Sequence, residues 1–246
     1  MQQRPYPNET PEYRKARNAL LEEERALREH VERVAALRRT LPLGGTVASD
    51  YVFEERGKDG RVSSVKLSEL FAPGKQSLMI YSFMFGPKMD HACPMCTSFL
   101  DSLNGAAPHL GQRMSLAVSA RSSIERVADY GASRGWSNLR LLSSAKNSYQ
   151  HDYLAEGDDG GQWPMANIFV QRDGEIRHFW GSELFFHPYP SKDTRHVDQL
   201  WPLWNVLDLT PEGRGETWYP ALSYPASETD GAGGARSARA ASPQPR

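Results

Sequence analysis

The chain has 246 residues, and at about 100 to 200 residues per domain that length fits one large domain with appendages. Its 39% apolar, 10% aromatic and 24% charged residues form a globular composition, which excludes a wholly disordered, collagen-like or disulfide-framework protein. With 29 Lys and Arg against 30 Asp and Glu the net charge is -1, too weak a field to draw the chain onto phosphate backbones or anionic lipid, so neither nucleic acid nor membrane is an expected partner. The longest apolar run, Leu78 to Gly86, is strand-sized and far short of the roughly 18 to 20 residues of a membrane-spanning helix. The opening residues, MQQRPYPNETPEYRKAR, lack the apolar core and cleavage site of a secretory signal, and a cytoplasmic location is expected.

In chain order, residues 10 to 41 read as one long helix: Thr10 is a candidate N-cap, Pro11 sits at the tolerated first position, and Leu20, Leu27, Val31, Val34 and Leu41 make an apolar stripe. Such an arm packs on the body or on a second copy, and a homodimer is expected from it. Leu41-Pro42-Leu43-Gly44-Gly45 ends the helix. Thr46 to Val62 alternates around Asp59-Gly60, a hairpin signal, and Leu67 to Phe71 reads as a short helical turn. Gln76 to Phe85 is a continuous apolar run, as in a strand buried on both faces. Strand Met114–Ser119, helix Ile124–Arg134 and strand Leu139–Leu142 follow, the rhythm of a mostly parallel sheet with covering helices. Residues 147 to 162 are polar and turn-rich. Asn167–Gln171 and Glu175–Trp180 flank Arg172-Asp173-Gly174 as a second hairpin. Val197 to Leu207 closes as a helix that Pro202 kinks or restarts. The domain organisation is an arm over 1–45, an α/β domain over 46–222, and a Gly/Ala/Ser-rich tail over 223–246 that is expected to be disordered.

The only two cysteines, Cys93 and Cys96, form a C-x-x-C between the buried strand and a segment of helical spacing. A thiolate at the first turn of a helix faces unsatisfied N–H groups and the positive end of the dipole, so Cys93 is the expected nucleophile. Cys96, one turn on and less accessible, is the expected resolving thiol. Pro94 restricts the loop between them. The same spacing also serves zinc, which would require His91 and distant histidines such as His109, His151 or His187 as further ligands; two inert thiols are the third reading. Trp163-Pro164 stands just before a strand, and Pro164 in cis form would approach the disulfide loop.

The order helix arm, hairpin, strand, C-P-x-C, strand-helix-strand, W-P and hairpin resembles the thioredoxin superfamily. More closely, the chain resembles the bacterial domain-of-unknown-function family 899, described as predicted dithiol-disulfide oxidoreductases. The resemblance rests on Phe83-Met84-Phe85-Gly86-Pro87, Cys93-Pro94-Met95-Cys96, Pro108-His109-Leu110 and Leu207-Asp208-Leu209-Thr210-Pro211-Glu212-Gly213-Arg214, and covers roughly residues 12 to 216. It implies a thioredoxin-like α/β fold with a central mixed sheet, a proline at position 164 facing the active cysteines, and a backbone edge beside it for substrate pairing. The sequence departs from the superfamily in three ways. Met95 replaces the proline of the W-C-G-P-C loop, the strand Leu78–Phe85 lacks the buried acid many thioredoxins use, and Asp90 stands where a peroxiredoxin-type peroxidase carries threonine.

The expected function is therefore thiol-disulfide exchange with a protein or small thiol substrate and an unidentified reductant, without cofactor or metal. Cys93, Cys96 and Pro164 are the expected catalytic residues, and Trp163, Pro94, Met95 and His91 the expected substrate contacts. His91 can also lower the Cys93 pKa or shuttle its proton. Glu183 and His187, in the aromatic loop Gly181–Pro190, are candidates to fold over the disulfide face. A catalytically silent binding module and a thiol-dependent peroxide reductase are the alternatives.

Overall fold

A computed structural model describes residues 4–187 and 195–224. The Pro188–Pro190 end of the aromatic loop and residues 225–246 of the expected tail lie outside the described residues. Helix α1 (Pro11–Arg39) begins as expected, with the Thr10 hydroxyl accepting from the Tyr13 N–H at 3.2 Å and Pro11 in the first turn. None of its residues is buried; the Arg38 guanidinium lies 5.5 Å over the Trp180 ring. Among the described residues no helix is long and apolar enough to cross a membrane.

Among the described residues one sheet of seven strands organises the rest: β1 (Val52–Arg56), β2 (Val62–Lys66), β3 (Ser77–Ser82), β4 (Ser115–Ala120), β5 (Leu141–Ser143), β6 (Met165–Arg172) and β7 (Glu175–Gly181), in spatial order β2-β1-β5-β4-β3-β6-β7. Only β3/β4 and β4/β5 pair in parallel; β1/β2, β1/β5, β3/β6 and β6/β7 are antiparallel. The sheet is mixed, as the resemblance implies, and not mostly parallel as the strand-helix rhythm alone suggests, because the connections through α2 (Pro94–Leu110) and α3 (Ile124–Arg134) make the crossovers. The four neighbouring strands β4-β3-β6-β7 with α2, α3 and the closing helix α5 (Pro202–Leu207) are a thioredoxin-like core, and β5, β1 and β2 widen it on one side.

Local chemistry explains most boundaries. The first hairpin turns over residues 57–61, with the Gly57 N–H on the Arg61 carbonyl at 2.8 Å and Gly60 at φ +79°, so its second strand begins at Val62. Ser123 caps α3 and Gly135 ends it in the left-handed conformation. Pro108 sits inside α2, where it removes the N–H that would reach the Asn104 carbonyl; Asn138 Nδ2 takes that acceptor at 3.2 Å. The polar stretch 147–162 contains an unexpected helical turn, α4 (Tyr149–Asp152), whose Tyr149 and Gln150 are buried. Pro202 restarts the chain as α5 after a 3-10 turn at Asp198–Leu200. Gly44 packs against β7, its N–H on the His178 carbonyl at 2.9 Å, at a spot where a Cβ would lie 2.6 Å from that oxygen.

β3 alternates between the two sides of the sheet. Leu78 and Ile80 enter one apolar cluster with Phe53, Tyr149 and Phe169. Met79 and Tyr81 enter the other, with Phe99 and Leu100 of α2 and with Trp201 and Trp204. The cysteines belong to this second face.

Candidate active site

After β3 the chain leaves the sheet at Phe83, crosses residues 86–92 and enters α2 at Cys93. Two contacts hold that connector. The Cys93 N–H donates to the Met84 carbonyl at 3.1 Å. Arg126 of α3 donates to the Gly86 carbonyl at 3.1 Å, the Asp90 carbonyl at 3.2 Å and the Met89 carbonyl, with its guanidinium 4.2 Å from the centre of the Phe85 ring. A cation satisfying three loop carbonyls and stacking on an aromatic ring fixes where the helix starts.

Cys93 is the N-cap of α2, its sulfur 3.5 Å from the Cys96 N–H, and Pro94 occupies the next position. Both cysteines are free thiols; Cys93 is partly exposed and Cys96 is buried. Their ionisation is driven apart. The Cys96 thiol, donating to the Cys93 sulfur, lowers the Cys93 pKa most, and the N–H groups of Cys96 and Met95 add to it against the cost of burial, bringing it to about 6. Burial pushes the Cys96 thiol well up, and its bond to the neighbouring Cys93 sulfur pushes it further. The helix terminus expected to acidify Cys93 therefore acts through the two N–H groups of its first turn, behind a larger contribution from the neighbouring thiol.

Directly beneath lies Tyr81 of β3, 2% exposed, its hydroxyl bonded to the Cys96 sulfur and lowering the Cys96 pKa against the effect of burial. Burial holds the phenol itself well above its usual range. A neutral donor thus stands near the Cys96 thiol on a strand that carries no carboxylate. The first turn of α2 is anchored by Thr97, whose hydroxyl donates to the Cys93 carbonyl at 2.9 Å and lies 2.8 Å from the Tyr130 hydroxyl; with the threonine proton committed, the tyrosine is the donor of that second bond.

A cavity of about 250 Å³ opens over the dithiol, and Cys93, Met95, Cys96 and Pro164 share its lining. The Pro164 peptide is trans, as is every peptide bond among the described residues, which corrects the cis form expected from the sequence; the proline reaches the cysteines through the position of the loop before β6. Pro94 and His91 are exposed and outside the cavity lining. Trp163 faces away, in a separate groove with Glu183, His187 and Phe186, its ring 5.5 Å from that of Phe186. Instead of Glu183 and His187, the side over the dithiol is supplied by Phe185 and by residues 195–204. Among the described residues no group of three or more His, Cys, Asp or Glu side chains could hold a metal ion.

The sequence did not single out residues 195–204 as part of the site. They are held by Arg214, which pairs with Asp198 at 2.8 Å and Asp208 at 2.6 Å and lies 5.3 Å over the Trp204 ring. Trp201 packs edge-on against Phe99 of α2 at 6.0 Å. The string Leu207–Arg214, noticed only as a resemblance, thus closes the site by an ion-paired clamp.

The model of the family described as bacterial protein of unknown function (DUF899) matches residues 2–230, and the chain belongs to that family. No curated protein matches it in sequence. Among solved structures it is similar to reduced Prx3 from Vibrio vulnificus in complex with hydrogen peroxide, at 14% identity and a TM-score of 0.44 over 63% of this chain and 92% of that one. It is also similar to a mutant of peroxiredoxin Q from Xanthomonas campestris, at 14% identity and 0.45 over 68% and 99%. A third likeness is the reduced 2-Cys peroxiredoxin of Plasmodium vivax, at 18% and 0.42 over 55% and 82%.

Proposed function

We propose that this DUF899 chain is a dithiol-disulfide oxidoreductase in which Cys93 attacks and Cys96 resolves. The observation that carries this reading is the opposed ionisation of two thiols one helical turn apart. A thiol with a pKa of about 6 is roughly nine-tenths thiolate at pH 7, against a few per cent for a free cysteine. Its neighbour keeps its proton until the first bond has formed.

The step runs as follows. The Cys93 thiolate attacks one sulfur of a disulfide RS–SR; the S–S bond breaks and RS⁻ departs. Once the Cys93 sulfur is no longer an anion it stops holding the Cys96 proton, which passes to the departing thiolate. The Cys96 sulfur then attacks Cys93, the mixed disulfide breaks, and the second RS⁻ leaves to be protonated by solvent. Two electrons pass to the substrate, two thiols are released, and Cys93–Cys96 remains as a disulfide for an external dithiol reductant to restore. Tyr81 acts as a positioning residue, keeping the Cys96 sulfur oriented over the strand.

The test is the Cys96→Ser variant, which should accumulate a mixed disulfide at Cys93, visible as an adduct in intact-protein mass spectrometry under mild oxidation. A variant that captures nothing speaks for a catalytically silent binding module. Hydroperoxide consumption by the unaltered protein at a rate exceeding its disulfide exchange speaks for a peroxide reductase.

A further inference from the structure

We propose that the dithiol acts on a small, largely apolar disulfide, seated in the cavity under residues 195–204, and that a protein chain is excluded as substrate. This rests on the reading of Cys93 and Cys96 as an exchange pair.

The backbone beside Pro164 is already used. The Ala166 N–H donates to the Ser182 hydroxyl at 2.9 Å, and the Ala166 carbonyl accepts from the Ser182 N–H at 2.9 Å. Met165 is paired with Ser82 across β3, and the Trp163 N–H is bound to the Ala155 carbonyl at 2.9 Å. An extended polypeptide that adds to a sheet needs unpaired N–H and C=O groups along the edge. Next to Pro164 the Trp163 N–H and both Ala166 groups are thus paired within the chain, which leaves a polypeptide little edge from which to present its disulfide to Cys93.

The overlying segment closes the site from above. Beyond the Arg214 clamp on Asp198, the His196 ring lies 5.1 Å from Phe185, and its Nδ1 lies 3.1 Å from the Ser182 hydroxyl. The space left is about 250 Å³, at or below the lower end of ordinary small-molecule pockets. Its walls are mostly apolar side chains, including Tyr81, Met84, Val197 and Trp204, and Arg195 and Asp198 at its edge pair with each other at 2.6 Å, so no single sign of charge is selected.

Trp201 lines the cavity at 4% exposure with its indole N–H buried, so its ring adds an apolar wall. Small size, apolar walls and compensated charge together describe an uncharged alkyl or aryl disulfide.

Three probes test this on the full chain: 4,4′-dithiodipyridine, which is neutral and aromatic; oxidised glutathione, which is charged; and insulin. Each rate at Cys93 is divided by the rate of a free thiol with the same probe, which removes the intrinsic reactivity of the disulfide. The expected result is a normalised rate at least tenfold higher for dithiodipyridine than for the other two. In Trp201→Ala, which enlarges the cavity, that preference should fall severalfold. Phe185→Ala, at a half-exposed position, should lower it as well and serves if the tryptophan variant does not fold. Equal normalised rates, or insulin as the fastest substrate, overturn the substrate class while leaving the exchange reading intact. Rates at Cys93 no faster than the free thiol with all three probes overturn both.

Discussion

β3 feeds two apolar layers by strict alternation, and the layers do different work. On one side Leu78 and Ile80 meet Phe53, Tyr149 and Phe169 in a closed aromatic cluster, with Tyr149 5.3 Å from Phe53 and 6.1 Å from Phe169. On the other, Met79 and Tyr81 meet α2 and the tryptophans of residues 195–204, and the packing stops short of the two sulfurs to leave a cavity. Both layers bury large side chains on the same strand. One is closed by packing, whereas the other keeps Tyr81 and two thiols beside a cavity.

The largest effect that would sharpen this contrast is a core deletion on the closed side. Phe169→Ala, at a fully buried position, should cost about 3 to 5 kcal/mol in urea unfolding. The pH profile of Cys93 alkylation should keep its midpoint near 6 wherever the variant remains folded. A moved midpoint would mean that the two layers are coupled.

Next is the source of the Cys93 acidity. Alkylation by iodoacetamide follows the thiolate, so the rate should rise with pH through about 6 and then level off. Because the Cys96 thiol is the first cause of the depression, Cys96→Ala should move the midpoint upward, toward the free-cysteine value of about 8.5. An unmoved midpoint would return the whole effect to the helix terminus.

The smallest expected effect is at Tyr81. Tyr81→Phe keeps the ring beside Phe99, whose centroid lies 4.8 Å away, and removes one hydrogen bond to Cys96. At about 1 kcal/mol for such a bond, the mixed disulfide at Cys93 should resolve roughly fivefold more slowly, with first attack unchanged. Equal slowing of both steps would reduce Tyr81 to a packing residue.

The parts of this contrast that sequence could reach are local ones. The C-P-x-C between an apolar run and a helix, the capped ends of α1, and the Asp-Gly turns all express their geometry within a few residues. The cavity could not be read in the same way. Tyr81 sits inside Leu78–Phe85, where tyrosine counts as one more core residue, and only the register of β3 under α2 brings its hydroxyl to Cys96. Residues 195–204 come over the thiols because Arg214, more than a hundred residues beyond Cys93, ties Asp198 to Asp208. Trp163 and Pro164 are neighbours in sequence yet face different grooves. Periodicity hid α4 as well, since its inward residues are a tyrosine and a glutamine in an otherwise polar stretch.

Gly44 has a reach beyond its own turn. Its carbonyl neighbour and those of the next residues run alongside β7, with Gly45 and Val47 exchanging hydrogen bonds with His178 and Ile176. This short ribbon shields the last strand from foreign strands that would otherwise stack on it. Any side chain at position 44 would collide with the His178 oxygen, lift the ribbon, and turn a sealed border of the sheet into a template for aggregation.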